Sequence, residues 1–262
     1  MTDTDVVEVL DMYEFKRSKN RSNVLSEENK LLGVYSDTLG LIRLRGGDLQ
    51  ASTKTAAAFD VLGLLSKSVW SNVDGAAFTS VTINKDFACA RHRDSNNEGP
   101  SLVKAIGSFV GGELVYWKDD PRKIHVQKVR HADAVVCNVS NEFVPINGKS
   151  AHEVMPFQGS RYSIVFFTVE GYKGTPENVQ QLLVKAGIPW PSDHLLADML
   201  HMVGHYHSGM GKTQQDVACS VRQREQDSVA APVPNVATCA SVSPAARHNP
   251  TILAWTQRSH SM

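Results

Sequence analysis

Apolar and polar positions divide the chain into stretches of different period. From Ala51 to Val69, ASTKTAAAFDVLGLLSKSV carries apolar residues at helical spacing, Ala57, Val61, Leu64 and Leu65, after a candidate N-cap at Ser52 or Thr53. This predicts a helix packed on a sheet. From Ala76 to Val169 the period shortens. Phe78, Ser80 and Thr82 alternate with Thr79, Val81 and Ile83, and FACARHRD, SLVKAIGSF, GGELVYW, IHVQKV, DAVVCNV and RYSIVFFTVE follow as further short strands. Clusters of Gly, Pro, Asn and Asp (SNNEGP, DDP, NGKS, FQGS) separate them, as turns do in an all-β unit. Past Thr175 the helical period returns in GTPENVQQLLVKAG, with Pro176 in its first turn and Gly187 at its end. After IPWPSD a second helix, HLLADMLHM, is expected.

Short strands in this number, flanked by helices, predict an α+β chain, mainly β, built as a two-sheet jelly roll. Three regions are expected. Residues 1–50 are mixed and polar, with a basic cluster at Lys16, Arg17, Lys19 and Arg21, and read as a solvated face or a substrate-side flap. Residues 51–207 hold the jelly-roll domain with its packing helices. Residues 208–262, rich in Gln, Ser, Ala and Pro and without period until TILAWTQ, read as a disordered tail.

Composition narrows the classes. At 262 residues, 42% hydrophobic and 21% charged, the chain supports one substantial core. No apolar run approaches the roughly 20 residues that cross a bilayer. The acidic start MTDTDVVEVLDMYEF lacks a basic-then-apolar leader. The expectation is an intracellular protein with no membrane partner, nuclear if its substrate is DNA. Cys89, Cys137, Cys219 and Cys239 form no CxxC pair and read as free thiols in a reducing compartment. Lys plus Arg equals Asp plus Glu at 27 each, so no global positive field advertises nucleic acid, although a local basic groove is compatible with that balance.

The chemistry concentrates in a few residues. His92-Arg93-Asp94 is followed by His152, then by Arg161 and Ser163. Two imidazoles and a carboxylate are the ligand set that holds Fe(II) on one face and leaves the opposite positions open. His92 and Asp94, two apart on a strand, share a face, and so do Arg161 and Ser163. Arg161 suits a paired bond to a carboxylate, with Ser163 adding a hydrogen bond. An HxD alone is common by chance. The distal histidine, the Arg-x-Ser and the all-β context are what make this one a candidate metal site. Two other signals fail. His201, His205 and His207 in HMVGHYH lack the acidic partner of a zinc protease motif. GMGKT lacks the first glycine and the preceding strand of a phosphate loop.

The stretch from Phe78 to Phe167, with its HxD, GGEL strand and H-x-V-x-P-F-x-G-x-R-Y-S hairpin, resembles the 2-oxoglutarate- and Fe(II)-dependent dioxygenase superfamily. Within it the sequence is most similar to the TET and J-binding-protein branch and its algal and viral relatives, through NNxGPS after the HxD and Arg-x-Ser after the distal His. The resemblance implies a double-stranded β-helix with His92, Asp94 and His152 on Fe(II). Arg161, assisted by Ser163, would hold the far carboxylate of 2-oxoglutarate. O₂ would be consumed, and succinate and CO₂ released, as a C–H bond is hydroxylated. Ascorbate is the implied reductant, and the algal relatives admit a different co-substrate in place of the keto acid. The implied substrate is a methylated or thymine-type pyrimidine in nucleic acid.

Around this set Asn84, Lys85, Asn96 and Asn97 are candidates to line the site or orient ligands, although turn chemistry accounts equally for the asparagines of SNNEGP. Glu113 faces either the interior or the surface. Phe87, Tyr116, Trp117 and Phe143 would stack on a flipped base or serve as core, and core is the simpler account. Two alternatives stand beside the leading one. A prolyl-hydroxylase-like enzyme acting on a protein side chain or small molecule fits the hairpin and the neutral charge, although many such enzymes carry Lys where this chain has Arg161. A non-catalytic jelly-roll binding module finds no support, since all three ligands and the arginine are present. Substrate identity, depth of oxidation and oligomeric state are left open.

Overall fold

The computed structural model describes residues 2–18, 24–25 and 33–209. These fall in the first of two compact units, which runs from Met1 to Val221. The expected tail from 210 on, with Cys219, Cys239 and most of GMGKT, lies outside the described residues, as do Lys19 and Arg21.

The chain opens with α1, Asp3–Met12, started by a reciprocal cap. Asp5 N–H donates to Thr2 Oγ1, and Thr2 N–H donates to the Asp5 carboxylate. Its buried Val6 and Leu10 enter the main core. β1 (Arg17–Ser18), β2 (Val34–Arg43) and β3 (Leu49–Ala51) follow, then α2 (Thr53–Ala57) and α3 (Phe59–Trp70). The helix expected over this stretch is broken at Ala58. Ser52 caps α2 by accepting from Lys54 N–H. The face α3 buries is Leu62, Leu65, Ser66 and Val69; of the residues that the spacing suggested, Leu65 is buried, whereas Val61 and Leu64 are half-buried.

Seven more strands carry the chain back and forth between two sheets: β4 (Ser80–Lys85), β5 (Asn97–Gly111), β6 (Leu114–Tyr116), β7 (Val135–Cys137), β8 (Val144–Ile146), β9 (His152–Val154) and β10 (Phe157–Val169). The helices α4 (Glu177–Lys185) and α5 (Asp193–Gly209) close the described part. The larger sheet has the order β1-β2-β4-β10-β5-β8, with β3 also on β2, and the smaller has β7-β6-β9; the pairings are antiparallel. Within the first fifty residues, the described α1, β1, β2 and β3 are therefore part of the architecture. β2 pairs with β4 from Tyr35↔Lys85 to Gly40↔Ser80.

Alternation along the strands assigns the two faces of the larger sheet. Leu39, Val81, Ile83, Ile106, Tyr162, Ile164 and Phe166 meet the helices in the main core, where each fully buried large apolar side chain contributes about 1.5–3 kcal/mol. The opposite face carries Val103 and Ala105 against Leu114, Tyr116 and Cys137 of the smaller sheet. On the β2-β4-β10 side that same face turns polar, with Ser36, Thr82, Asn84, Arg161 and Ser163 all buried. A third cluster, Val115, Trp117, Val129 and Ala151, lies on the outer face of the smaller sheet, where the loop after Trp117 covers it.

Two expected strands take other forms. IHVQKV is a turn, Val126–Lys128, started by His125. Carbonyls there are satisfied by side chains rather than by a ladder: Val129 O accepts from Arg91, and the nearby Arg130 O accepts from Trp117 Nε1. FACARHRD keeps little of a strand. It joins the edge of the smaller sheet through one bridge, between His92 and His152.

Candidate metal centre

That bridge brings two distant parts of the chain together. His92 N–H donates to His152 O and His152 N–H to His92 O, each at 3.0 Å. The imidazoles come to 4.2 Å between centroids at 57°. Each ring is held in the same way. Nδ1 lies 2.8 Å from Ala90 O in His92 and 2.9 Å from Ser150 O in His152. A carbonyl only accepts, so Nδ1 carries a proton, and in the neutral ring the lone pair is then on Nε2.

Asp94 completes the group. Its backbone N–H donates to Gly148 O at 2.9 Å, and Asn97 Nδ2 donates to its Oδ2 at 2.8 Å. Oδ1 is left 3.7 Å from His92 Nε2. One ligand atom from each of His92, Asp94 and His152 lies within 4.8 Å of the others, the one such group found among the described residues. Gly148 makes room for it, since a Cβ there would stand 2.6 Å from Asp94 Oδ2 and 3.0 Å from Asn97 Nδ2.

Arg161 and Ser163 project from β10 toward the smaller sheet, in register with Gly107 and Ala105 of β5. Ser163 is also opposite Asn84, whose Oδ1 accepts from Ser36 Oγ at 2.7 Å. Arg161 is 1% exposed. Its Nη2 donates to Gly112 O at 3.1 Å, and its guanidinium lies 5.3 and 5.4 Å from the Phe109 and Phe157 rings. Nε and Nη1 have no partner, two of the four buried side-chain polar atoms so left among the described residues. Burial drives this guanidinium down to about 10, opposed by nearby Cys89 and Glu113, so it stays cationic at neutral pH. The backbone beneath it is pinned, because Asp86, in a left-handed conformation, accepts from Arg161 N–H at 2.7 Å. Gly112 is needed beside it, as a Cβ there would sit 2.8 Å from Arg161 Nε.

Of the remaining sequence candidates, Asn97 is buried and bonded to Asp94, whereas Asn96 is exposed and gives its carbonyl to Glu170 N–H. Lys85 pairs with Asp11 at 3.9 Å and lies over the Tyr162 ring. Glu113 is half-buried. Phe87, Tyr116, Trp117 and Phe143 are core residues, each less than a tenth exposed. His201 and His205 are exposed, and His207, buried on Tyr116, approaches Pro145 O with Nε2.

The sequence did not single out the residues behind the site. Arg91 and Arg93 flank His92 and point away from it. Arg91 lies over Trp117 at 4.2 Å, contacts His131, and bonds Glu153 Oε2 at 3.1 Å. Arg93 forks onto Asp120 through Nε to Oδ2 at 2.6 Å and Nη2 to Oδ1 at 2.7 Å. Burial pushes the Asp120 carboxyl up, but the Arg93 guanidinium and the N–H groups of Arg122 and Ala151 outweigh it and hold the group below the usual range. Arg91 and Arg93 alternate with the ligands along the segment and so lie opposite them. Their partners come from elements far away in the chain.

No protein-family model and no curated protein matches this chain. Among solved structures, it is similar to NgTET1 in complex with 5mC DNA (14% identity, TM-score 0.39, over 57% of this chain and 69% of that one). A 2OG-Fe(II) oxygenase family oxidoreductase from Burkholderia pseudomallei gives 19% identity and TM-score 0.35, over 51% of this chain and 65% of that one. A bsmA homolog from Methylobium petroleophilum gives 13% and 0.31, over 64% and 82%. No helix among the described residues is long and apolar enough to cross a membrane.

Proposed function

We propose that this chain is an Fe(II)- and 2-oxoglutarate-dependent dioxygenase on a double-stranded β-helix, hydroxylating a methylated or thymine-type pyrimidine in nucleic acid. The observation that carries the chemistry is the group of three ligand atoms within 4.8 Å, and a buried guanidinium with two nitrogens unpartnered supports the co-substrate. A buried guanidinium with two donors unsatisfied is costly, and a carboxylate reaching Nε and Nη1 would relieve it. The donor set of two imidazoles and one carboxylate suits Fe(II). The order of strands fits the fold, since β4, β10, β5 and β8 adjoin in one sheet while the HxD segment, β9, β6 and β7 adjoin in the other.

When bound, iron at this site couples reduction of O₂ and decarboxylation of the keto acid to succinate and CO₂ with hydroxylation of a C–H bond. The chain's own residues set the conditions. His92 and His152 present Nε2 because their Nδ1 protons are held by Ala90 O and Ser150 O. Asp94 presents Oδ1 because Asn97 occupies Oδ2. Arg161 supplies charge and two free donors to the far carboxylate, and Ser163 adds a hydroxyl. Phe109 and Phe157 keep water from the guanidinium.

The substrate rests on the sequence resemblance to the TET and J-binding-protein branch. A second reading, oxidation of a protein side chain or small molecule, draws on the balance of 27 basic and 27 acidic residues. One experiment addresses both. Anaerobically iron-loaded protein is given 2-oxoglutarate and O₂, and succinate is measured with methylated DNA, RNA and peptide panels. The expected result is turnover stimulated by DNA and abolished in His92→Ala and Arg161→Ala. Stimulation by peptides alone would move the substrate to the second reading. Absence of succinate from folded, iron-bound protein would overturn the dioxygenase reading.

A further inference from the structure

Asp120 lies outside the candidate ligand set, yet it touches both chain segments that carry that set. Its side chain is fully buried and saturated. Oδ2 accepts from Arg93 Nε at 2.6 Å and from Ala151 N–H at 2.7 Å. Oδ1 accepts from Arg93 Nη2 at 2.7 Å and from Arg122 N–H at 3.0 Å. Arg93 stands between His92 and Asp94, and Ala151 immediately precedes His152. One carboxylate thus reaches within one residue of all three ligands. Strand residues advance about 3.3 Å each, so fixing Arg93 and Ala151 sets where the three side chains begin.

The rest of the local structure leaves this work to side chains. The HxD segment has no ladder, only the bridge to His152 and a few backbone bonds at its ends. Its outer side is held by the two arginines instead. Arg91 pairs with Glu153, next to His152, and Arg93 pairs with Asp120. Trp117 N–H donates to Ala151 O, and Asp120 N–H to Trp117 O, so the Asp120 turn is itself tied to the segment it clamps.

We propose that Asp120 is a positioning residue of the metal centre, holding the HxD segment and the His152 strand at the separation that lets three ligands meet one ion. The inference rests on the metal-site reading above. Loss of a partner behind a metal ligand typically weakens metal binding roughly 10–100-fold, and that is the expected scale.

The test uses the full chain, metal-free, titrated anaerobically with Co(II), whose visible absorption reports both affinity and coordination geometry. Asp120→Asn puts an NH₂ group where two donors already point, whichever way the amide turns. It is expected to bind Co(II) roughly 10–100-fold more weakly, with a shifted spectrum. Arg93→Lys keeps a cation beside Asp120 and leaves the Ala151 bond, but loses the fork. It is expected to weaken binding several-fold, on the low side of that range, and it carries the test if Asp120→Asn fails to fold. Asp133→Asn, which breaks an exposed ion pair with Arg130 in the same loop, serves as the control that binds as wild type. A folded Asp120→Asn, or Arg93→Lys, with wild-type affinity and spectrum overturns the inference while the metal site stands. A wild-type chain that takes up no Co(II) overturns the metal-site reading itself, and this inference with it.

Discussion

Arg93, between two of the candidate ligands, and Arg161, on β10, are both guanidinium groups, and their bonding differs. Arg93 engages each of its three nitrogens, two on Asp120 and the third on Ile124 O. Arg161 is buried more deeply and bonds one carbonyl, leaving Nε and Nη1 empty. A saturated arginine holds a structure together. A buried arginine with open donors costs stability until something anionic arrives, and that cost is what makes it a binding group.

Replacing each arginine tests the contrast, and the largest effect belongs to Arg161. Arg161→Met removes two charge-assisted bonds to the keto acid, each worth roughly 1.5–3 kcal/mol, so affinity for 2-oxoglutarate should fall at least about a hundredfold by calorimetry. The same variant without ligand should be as stable as wild type or more so, by about 1–4 kcal/mol, since it no longer buries a guanidinium with two unsatisfied donors. The sign agrees with its titration. The folded-state value is depressed to about 10, so the charged form is disfavoured by folding at neutral pH, and the penalty is relieved as pH rises through that value. Arg93→Met should do the reverse in a thermal melt, losing about 3 kcal/mol by stranding the buried Asp120 carboxylate. If Arg161→Met destabilises the ligand-free chain as much as Arg93→Met does, the two arginines have one role and the contrast fails.

Smaller effects sharpen the picture around the ligands. Gly148→Ala places a methyl 2.6 Å from Asp94 Oδ2, so Asp94 or the Gly148 turn must shift. Metal affinity is expected to drop about tenfold, comparable to losing a group behind a ligand, with the fold intact by circular dichroism. Unchanged affinity would show that the turn absorbs the methyl. The smallest effect concerns the interior between the sheets. Burial, with Glu142 nearby, pushes the Cys137 thiol up to about 12. Native protein should alkylate at Cys89, which is half-buried, well before Cys137. Equal rates in a mass-spectrometric time course would mean that the space between the sheets is open.

Strands and helices were legible where a local pattern was strong. The alternation in RYSIVFFTVE predicted β10 and put Arg161 and Ser163 on one face. The apolar spacing before it predicted a helix within 51–69 and its buried Leu65, but not the break at Ala58, nor that Leu62 rather than Val61 would face inward, because the sheet it packs on decides that. IHVQKV has the composition of a strand and becomes a turn because Arg91 and Trp117, distant in sequence, take carbonyls in and beside it. The polar segment before residue 50 gave little sign that β2 would form six pairs with β4.

The candidate site divides in the same way. His92, Asp94, His152, Arg161 and Ser163 could be picked out from residue type and spacing, because an ion or a carboxylate demands those groups whatever surrounds them. Their order of contact could not. That Nδ1 of both histidines meets a carbonyl, that Gly148 gives Asp94 room, and that Asp120 joins Arg93 to Ala151 depend on segments that become neighbours only when the sheets close. Chemistry of side chains is local and is written in the sequence. The distances that let those side chains act together are set by long-range packing, which the tertiary structure alone decides.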